Sequence, residues 1–225
     1  AGAFPEARRF LLPFVRGAGR QAEALSAWAR STPMRMLMSM SVRVRMSDPR
    51  VRQPYVVRNY IVPSRHTGGD KQAAALAMLA EVAGGGGVTS RLAKKLQIAD
   101  RIAISTGAYY DGGAYDDGTL NIYAVPAEGS SLDKVETEMD AVMAEIAKDG
   151  PTEAELKRAR TVIRASEIYS QDSQQGLARR YGAGLATGLT IERIESWPDT
   201  LSAVTADDVK QAAQKWLRPA YSVTG

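Results

Sequence analysis

From Met34 to Met46 the chain alternates. Met34, Met36, Met38, Met40, Val42, Val44 and Met46 take the even positions, and arginine or serine takes the odd ones except at Leu37. A period of two with a polar opposite face predicts a half-buried β-strand. Side chains stacked on one face of a strand form an ordinary hydrophobic stripe, so the methionines read as sheet packing and not as a metal-binding box. Asp48-Pro49 predicts a turn. A second β-rich run spans Val51 to Val62, with Pro63 and Gly68-Gly69 closing it.

The period then lengthens. Ala74, Met78 and Val82, with Leu79 beside them, predict an amphipathic helix over Lys71–Ala83 with Asp70 as its N-cap. Gly84 to Gly87 ends it, and Thr89-Ser90 opens another helix carrying Leu92 and Leu96 on one face. Ile102–Tyr110 and Thr119–Val125 read as a hairpin joined by a Gly/Asp/Tyr-rich loop. Leu132, Val135, Met139, Val142, Met143 and Ile146 mark a long helix ended by Gly150. Thr152 and Glu155 form a capping-box pattern for the next helix, with Leu156, Ala159 and Ile163 along it. A third helical segment covers Ser170–Ala186, then comes a pair broken at Trp197, and Thr205 to Asp208 caps a last helix. Tyr221-Ser222-Val223 adds a final strand. Strand runs followed by helix runs indicate an α+β fold, an antiparallel sheet with helices packed on one face.

Charge divides the chain. Residues 1–58 contain eleven arginines, no lysine and three acids, whereas the remainder carries a net charge of −4. Residues 1–41 therefore read as a basic, irregular N-terminal extension, a leader or the product of a truncated gene, and residues 42–225 as the folded domain. The scattered arginines lack the interleaved aromatics of a base-stacking surface, which argues against nucleic acid as a partner. No apolar run reaches the ~20 residues of a membrane span. A clear signal peptide is not visible either.

The inventory for chemistry is short. Cysteine is absent and His66 is the sole histidine of the 225 residues, so no His/Cys zinc site can be assembled from this chain. No Gly-x-Ser-x-Gly turn supports a serine nucleophile. The glycine run lacks the Gly-Lys-Ser/Thr ending of a phosphate loop and comes after a helix, so its glycines are expected to serve a sharp turn and close backbone approach. The acidic pairs Glu136/Glu138, Asp116/Asp117 and Asp207/Asp208 fall on faces expected to be solvated, in a loop or in a cap.

One stretch changes this picture. Gly84-Gly85-Gly86-Gly87-Val88-Thr89-Ser90-Arg91-Leu92 resembles the glycine run followed by Ser-Arg-Leu in the C-terminal repeat of the insulinase, pitrilysin and processing-peptidase family, the M16-type zinc metallopeptidases. Its surroundings agree in order. They include Tyr60-Ile61-Val62-Pro63, Ala103-Ile104-Ser105, Gly118 to Ala124, Thr152 to Ala159, and Val204 to Val209 with Trp216-Leu217. The resemblance covers roughly residues 42–225, which it marks as an M16 C-terminal-type domain, one of two homologous α+β repeats enclosing a chamber.

In that family an inverted H-x-x-E-H helix and a distal glutamate of the N-terminal repeat hold the zinc. Neither is present here, so the resemblance implies an inactive half, not expected to cleave peptides alone. Zinc is expected only in a partner half, a zinc-bearing M16-type subunit, with peptide as the shared substrate. A structural assembly subunit and a basic-arm binding protein are the alternatives. Gly84, Gly85, Gly86, Gly87, Ser90 and Arg91 form the structural motif. Active relatives place an Arg/Tyr pair near the hairpin; here Tyr109, Tyr110 and Tyr115 are the substrate-contact candidates, and aspartates stand where the arginine is expected. The resemblance also admits a periplasmic or membrane-associated location.

Overall fold

The computed structural model describes residues 41–225. A five-stranded sheet runs in the order β1-β5-β2-β4-β3. Its strands are β1 (Val42–Arg43), β2 (Val56–Val62), β3 (Ala103–Asp111), β4 (Gly118–Pro126) and β5 (Ser222–Thr224). β2, β3, β4 and β5 pair antiparallel. The sheet is antiparallel as expected except at one edge, where the two-residue β1 joins β5 in parallel. Along β2 burial alternates strictly, with Val56, Arg58, Tyr60 and Val62 turned into the molecule.

The helices are α1 (Gly69–Ala80), α2 (Leu132–Asp149), α3 (Glu153–Gln171), α4 (Gln174–Ala186), α5 (Ile191–Glu195), α6 (Trp197–Ser202) and α7 (Ala206–Trp216). α1 sits at the centre. Ala73, Ala74, Ala75, Leu76, Met78, Leu79 and Ala80 are all buried, and the alanines let β3, α6 and α7 pack close around it. Tyr60, Leu120 and Ile122 of the sheet meet Leu76, Met139, Ile146, Leu156 and Val209 in one continuous core. Ser131 caps α2 by accepting from Lys134 N–H, and Gly150 ends that helix at φ +77°. Thr205 caps α7 as expected, and Asp208 completes a capping box with it. Among the described residues, no helix is long and apolar enough to cross a membrane.

Several expectations are corrected. The alternating run from Met34 to Met46 yields only the two residues of β1, its positions before 41 lying outside the described residues. β5 offers three residues as a neighbour, so the ladder runs out and leaves Val44 and Met46 41% and 68% exposed. β2 starts at Val56 and not Val51, after Pro54 and an exposed Tyr55. α1 starts earlier than expected, at Gly69, with Gly68 as its N-cap and no side-chain cap bond. Asp70 instead takes hydrogen bonds from Arg65 and Arg193, tying the β2–α1 loop to α5. The third helical segment starts at Gln174, because Ser173 caps it through Gly176 N–H at 3.0 Å. Glu136, expected on a solvated face, is 6% exposed and sits between Arg58 and Arg43.

Candidate functional site

The glycine run sits where α1 must turn away beneath the sheet. α1 widens into a π-type turn over Glu81–Gly85, then a 3-10 turn over Gly87–Thr89, before the next helical stretch begins at Arg91. The glycines serve different needs. A Cβ on Gly84 would lie 2.2 Å from Ala108 N and 2.4 Å from Gly107 C, so the turn presses directly on the β3 backbone. On Gly85 it would meet Glu81 Oε2 at 2.5 Å, and Gly87 adopts φ +57°. These are the sharp turn and close approach expected from the sequence.

Ser90 and Arg91 anchor the far end of this turn. The Ser90 hydroxyl donates to Gly87 O at 2.7 Å and accepts from Ala93 N–H at 3.3 Å. Arg91 donates from Nε and Nη2 to the two oxygens of Glu155, at 2.9 and 2.8 Å, and from Nη2 to Gly150 O at 2.8 Å. Burial alone would push the Glu155 carboxyl up, but hydrogen bonds from Arg91 and Thr152 hold it down, at about 2. The motif thus clamps the glycine turn to the start of α3. Beside it lies a small, half-open cleft lined by Glu81, Thr89, Ser90, Arg158 and Val162. Glu81 Oε1 is buried there with no hydrogen-bond partner among the described residues, and burial pushes that carboxyl up.

The three candidate tyrosines are not brought together. Tyr109 lies in β3 opposite Asn121, which in turn pairs with Asn59, so it occupies the sheet face away from the helices; it is 56% exposed. Tyr110 points the other way, packs against the core, and donates its hydroxyl to Pro63 O at 2.6 Å. Burial pushes its hydroxyl up, which suits a structural donor. Tyr115 stands in the hairpin loop, highly exposed, with its ring 5.8 Å from that of His66. Tyr109 and Tyr115 remain surface groups, whereas Tyr110 is a strut between β3 and the β2–α1 loop. The aspartates also differ: Asp117 accepts from the Thr67 hydroxyl at 2.6 Å.

β3 forms one end of the strand order, and no strand among the described residues pairs with its outer side. It carries no lysine, arginine or proline, and it exposes Ile104 and Tyr109. Such an edge can accept an extended chain through backbone hydrogen bonds. Sequence patterning located this strand but not its edge position, which depends on pairings distant in sequence.

The zinc donor set does not fit this chain. His66 is its sole histidine, cysteine is absent, and among the described residues no group of three His, Asp or Glu side chains converges as a metal site. His66 Nε2 is buried without a hydrogen-bond partner among the described residues, beside the Tyr115 ring.

Comparison with known proteins agrees with this geometry. The fold is similar to a protease from Helicobacter pylori, with TM-score 0.75 and 18% identity over 84% of this chain and 44% of that one. It is also similar to the inactive peptidase domain of a putative zinc protease from Bordetella parapertussis, with TM-score 0.68 and 18% identity over 81% of this chain and 92% of that one. Identities this low speak for the fold alone. An uncharacterized zinc protease of Mycobacterium leprae is 29% identical over 137 residues, which are 61% of this chain and 30% of the relative. The chain thus spans under a third of that relative's length. The family model described as the Peptidase M16 inactive domain matches residues 39–163, more than half of the sequence. The chain therefore belongs to the Peptidase M16 inactive-domain family.

Proposed function

We propose that this chain is the substrate-holding half of an M16-type zinc peptidase and that the zinc-bearing half is a separate partner or repeat. Peptide lies extended along the outer edge of β3, joined to it by backbone hydrogen bonds, with Tyr109 and Ile104 as side-chain contacts. The observation that carries this reading is β3, whose eight residues before Asp111 are uncharged and which is left without a strand on its outer side among the described residues. Family membership supports it, since a chain with one histidine contributes surface and not metal chemistry.

In this reading the glycine turn and the Arg91–Glu155 clamp hold β3 in place and take no part in bond cleavage. Tyr110 is likewise excluded from substrate contact, because its hydroxyl already serves Pro63 O.

The test is binding of a fluorescent, unstructured peptide to the purified chain by anisotropy. Tyr109→Ala and Ile104→Lys should each weaken binding, while Tyr115→Ala, at the loop tip, should weaken it less. Equal binding by wild type and by the Tyr109→Ala/Ile104→Lys double variant would remove the β3 edge from the proposal.

A further inference from the structure

β1 and the three residues after it lie at one edge of the sheet, and little apolar surface holds them there. Val42 is half-buried, while Val44 and Met46 are exposed, so hydrophobic burial contributes little to keeping this segment in place. Its backbone pairs with β5 at Val42↔Val223 and Arg43↔Thr224, and Val44 N–H donates to Thr224 O at 2.8 Å. The other ties are ionic. Arg43 donates to both oxygens of Glu136 on α2, at 2.8 and 2.5 Å. Arg45 donates to Asp133 at 2.6 Å, a pair in which both side chains are exposed.

Glu136 does not depend on this tie. Arg58, 5% exposed on β2, donates to the same carboxylate, to Asp140 and to the Thr224 hydroxyl. If β1 lifts away, Glu136 keeps Arg58 and Arg43 enters water, so no buried charge is stranded. β5 also keeps its three antiparallel pairings to β2. The body would lose an edge strand and no core residue. Elements of this kind open locally at a lower free energy than the whole domain.

We infer that β1 is a releasable strap whose catch is the Arg43–Glu136 pair. With the catch closed, residues 42–46 are held against β5 and α2. With it open, the segment through Met46 swings free while β2–β5 and the helices stay folded. Arg43 is 46% exposed in this pair, so dissolved salt reaches the catch and loosens it.

Hydrogen exchange of the full chain tests this, with the Val44 amide reporting on the strap and amides within β2 on the body. Val44 should exchange at least ~100-fold faster than the β2 interior. Arg43→Ala should speed Val44 exchange by about tenfold, the loss of one charge-assisted pair, and leave β2 unchanged. Arg43→Lys should restore part of the protection. Raising salt from about 0.05 to about 1 M should speed Val44 exchange in wild type, and less so in Arg43→Ala, where only the exposed Arg45–Asp133 pair remains to be screened. Exchange of Val44 in step with β2, equal acceleration of both by Arg43→Ala, or a salt-insensitive wild type would each overturn the strap. If the variant fails to fold, the wild-type salt series alone decides.

Discussion

Replacing Arg91 with methionine removes the clamp between the glycine turn and α3 while keeping much of the side chain's apolar volume. Arg91 and Glu155 are 12% and 14% exposed, so solvent screens their pair only weakly. The Glu155 carboxyl falls from an ordinary 4.5 to about 2 in the folded chain. At about 1.4 kcal/mol per pH unit that drop corresponds to roughly 3 kcal/mol, of which Thr152 supplies a part, leaving Arg91 about 2 kcal/mol. The sign follows from the depressed value. The ionised carboxylate stabilises the fold above pH 4.5, and this contribution fades as pH falls from there towards 2. Urea unfolding followed by tryptophan fluorescence should show Arg91→Met less stable by about 2–3 kcal/mol at pH 7, with the gap narrowing steadily below about pH 4. The same gap at pH 7 and pH 2.5, or a gap under about 0.5 kcal/mol at pH 7, would refute the clamp.

Two further outcomes separate parts of the account. Gly84→Ala drives a Cβ into the backbone of β3 and should destabilise by about 2–3 kcal/mol in urea unfolding, whereas Gly86→Ala, whose nearest contacts are side-chain oxygens at 3.3 Å, should lose under about 1 kcal/mol. Thr205→Ala opens the capping box on α7 and should lower stability by about 1 kcal/mol, while Thr205→Ser should recover most of it.

Local chemistry in the sequence foretold much of this molecule. Val135, Met139, Val142 and Ile146 are spaced for a helix, and all four are buried on α2. Thr152/Glu155 and Thr205/Asp208 are capping pairs whose partners lie three residues apart, and both form. Two of the misses share one cause: the deciding partner lies far along the chain. Asp70 is drawn from its cap by Arg193, 123 residues away, and Glu136 is buried because Arg58 reaches it across 78. The even-numbered stripe at Val42, Val44 and Met46 carries a strand's pattern, but β5 supplies too short a neighbour to complete it. Tyr109 and Tyr110 are adjacent in sequence yet occupy opposite faces of β3, because strand side chains alternate. The aspartates of the hairpin loop stand where the family resemblance calls for an arginine, and Asp117 is engaged by Thr67.

The central claim is that this domain holds substrate for zinc chemistry supplied elsewhere. Its most direct test is cleavage of an unstructured fluorogenic peptide by a zinc-bearing, H-x-x-E-H-containing M16-type half from the same source, measured with and without this chain. The account predicts no cleavage and no stoichiometric zinc for the chain alone. Cleavage should rise when the two are combined, and Tyr109→Ala should raise KM more than it lowers kcat. Peptidase activity in the purified chain alone, or a stable complex of the two halves with no gain in cleavage, would contradict it.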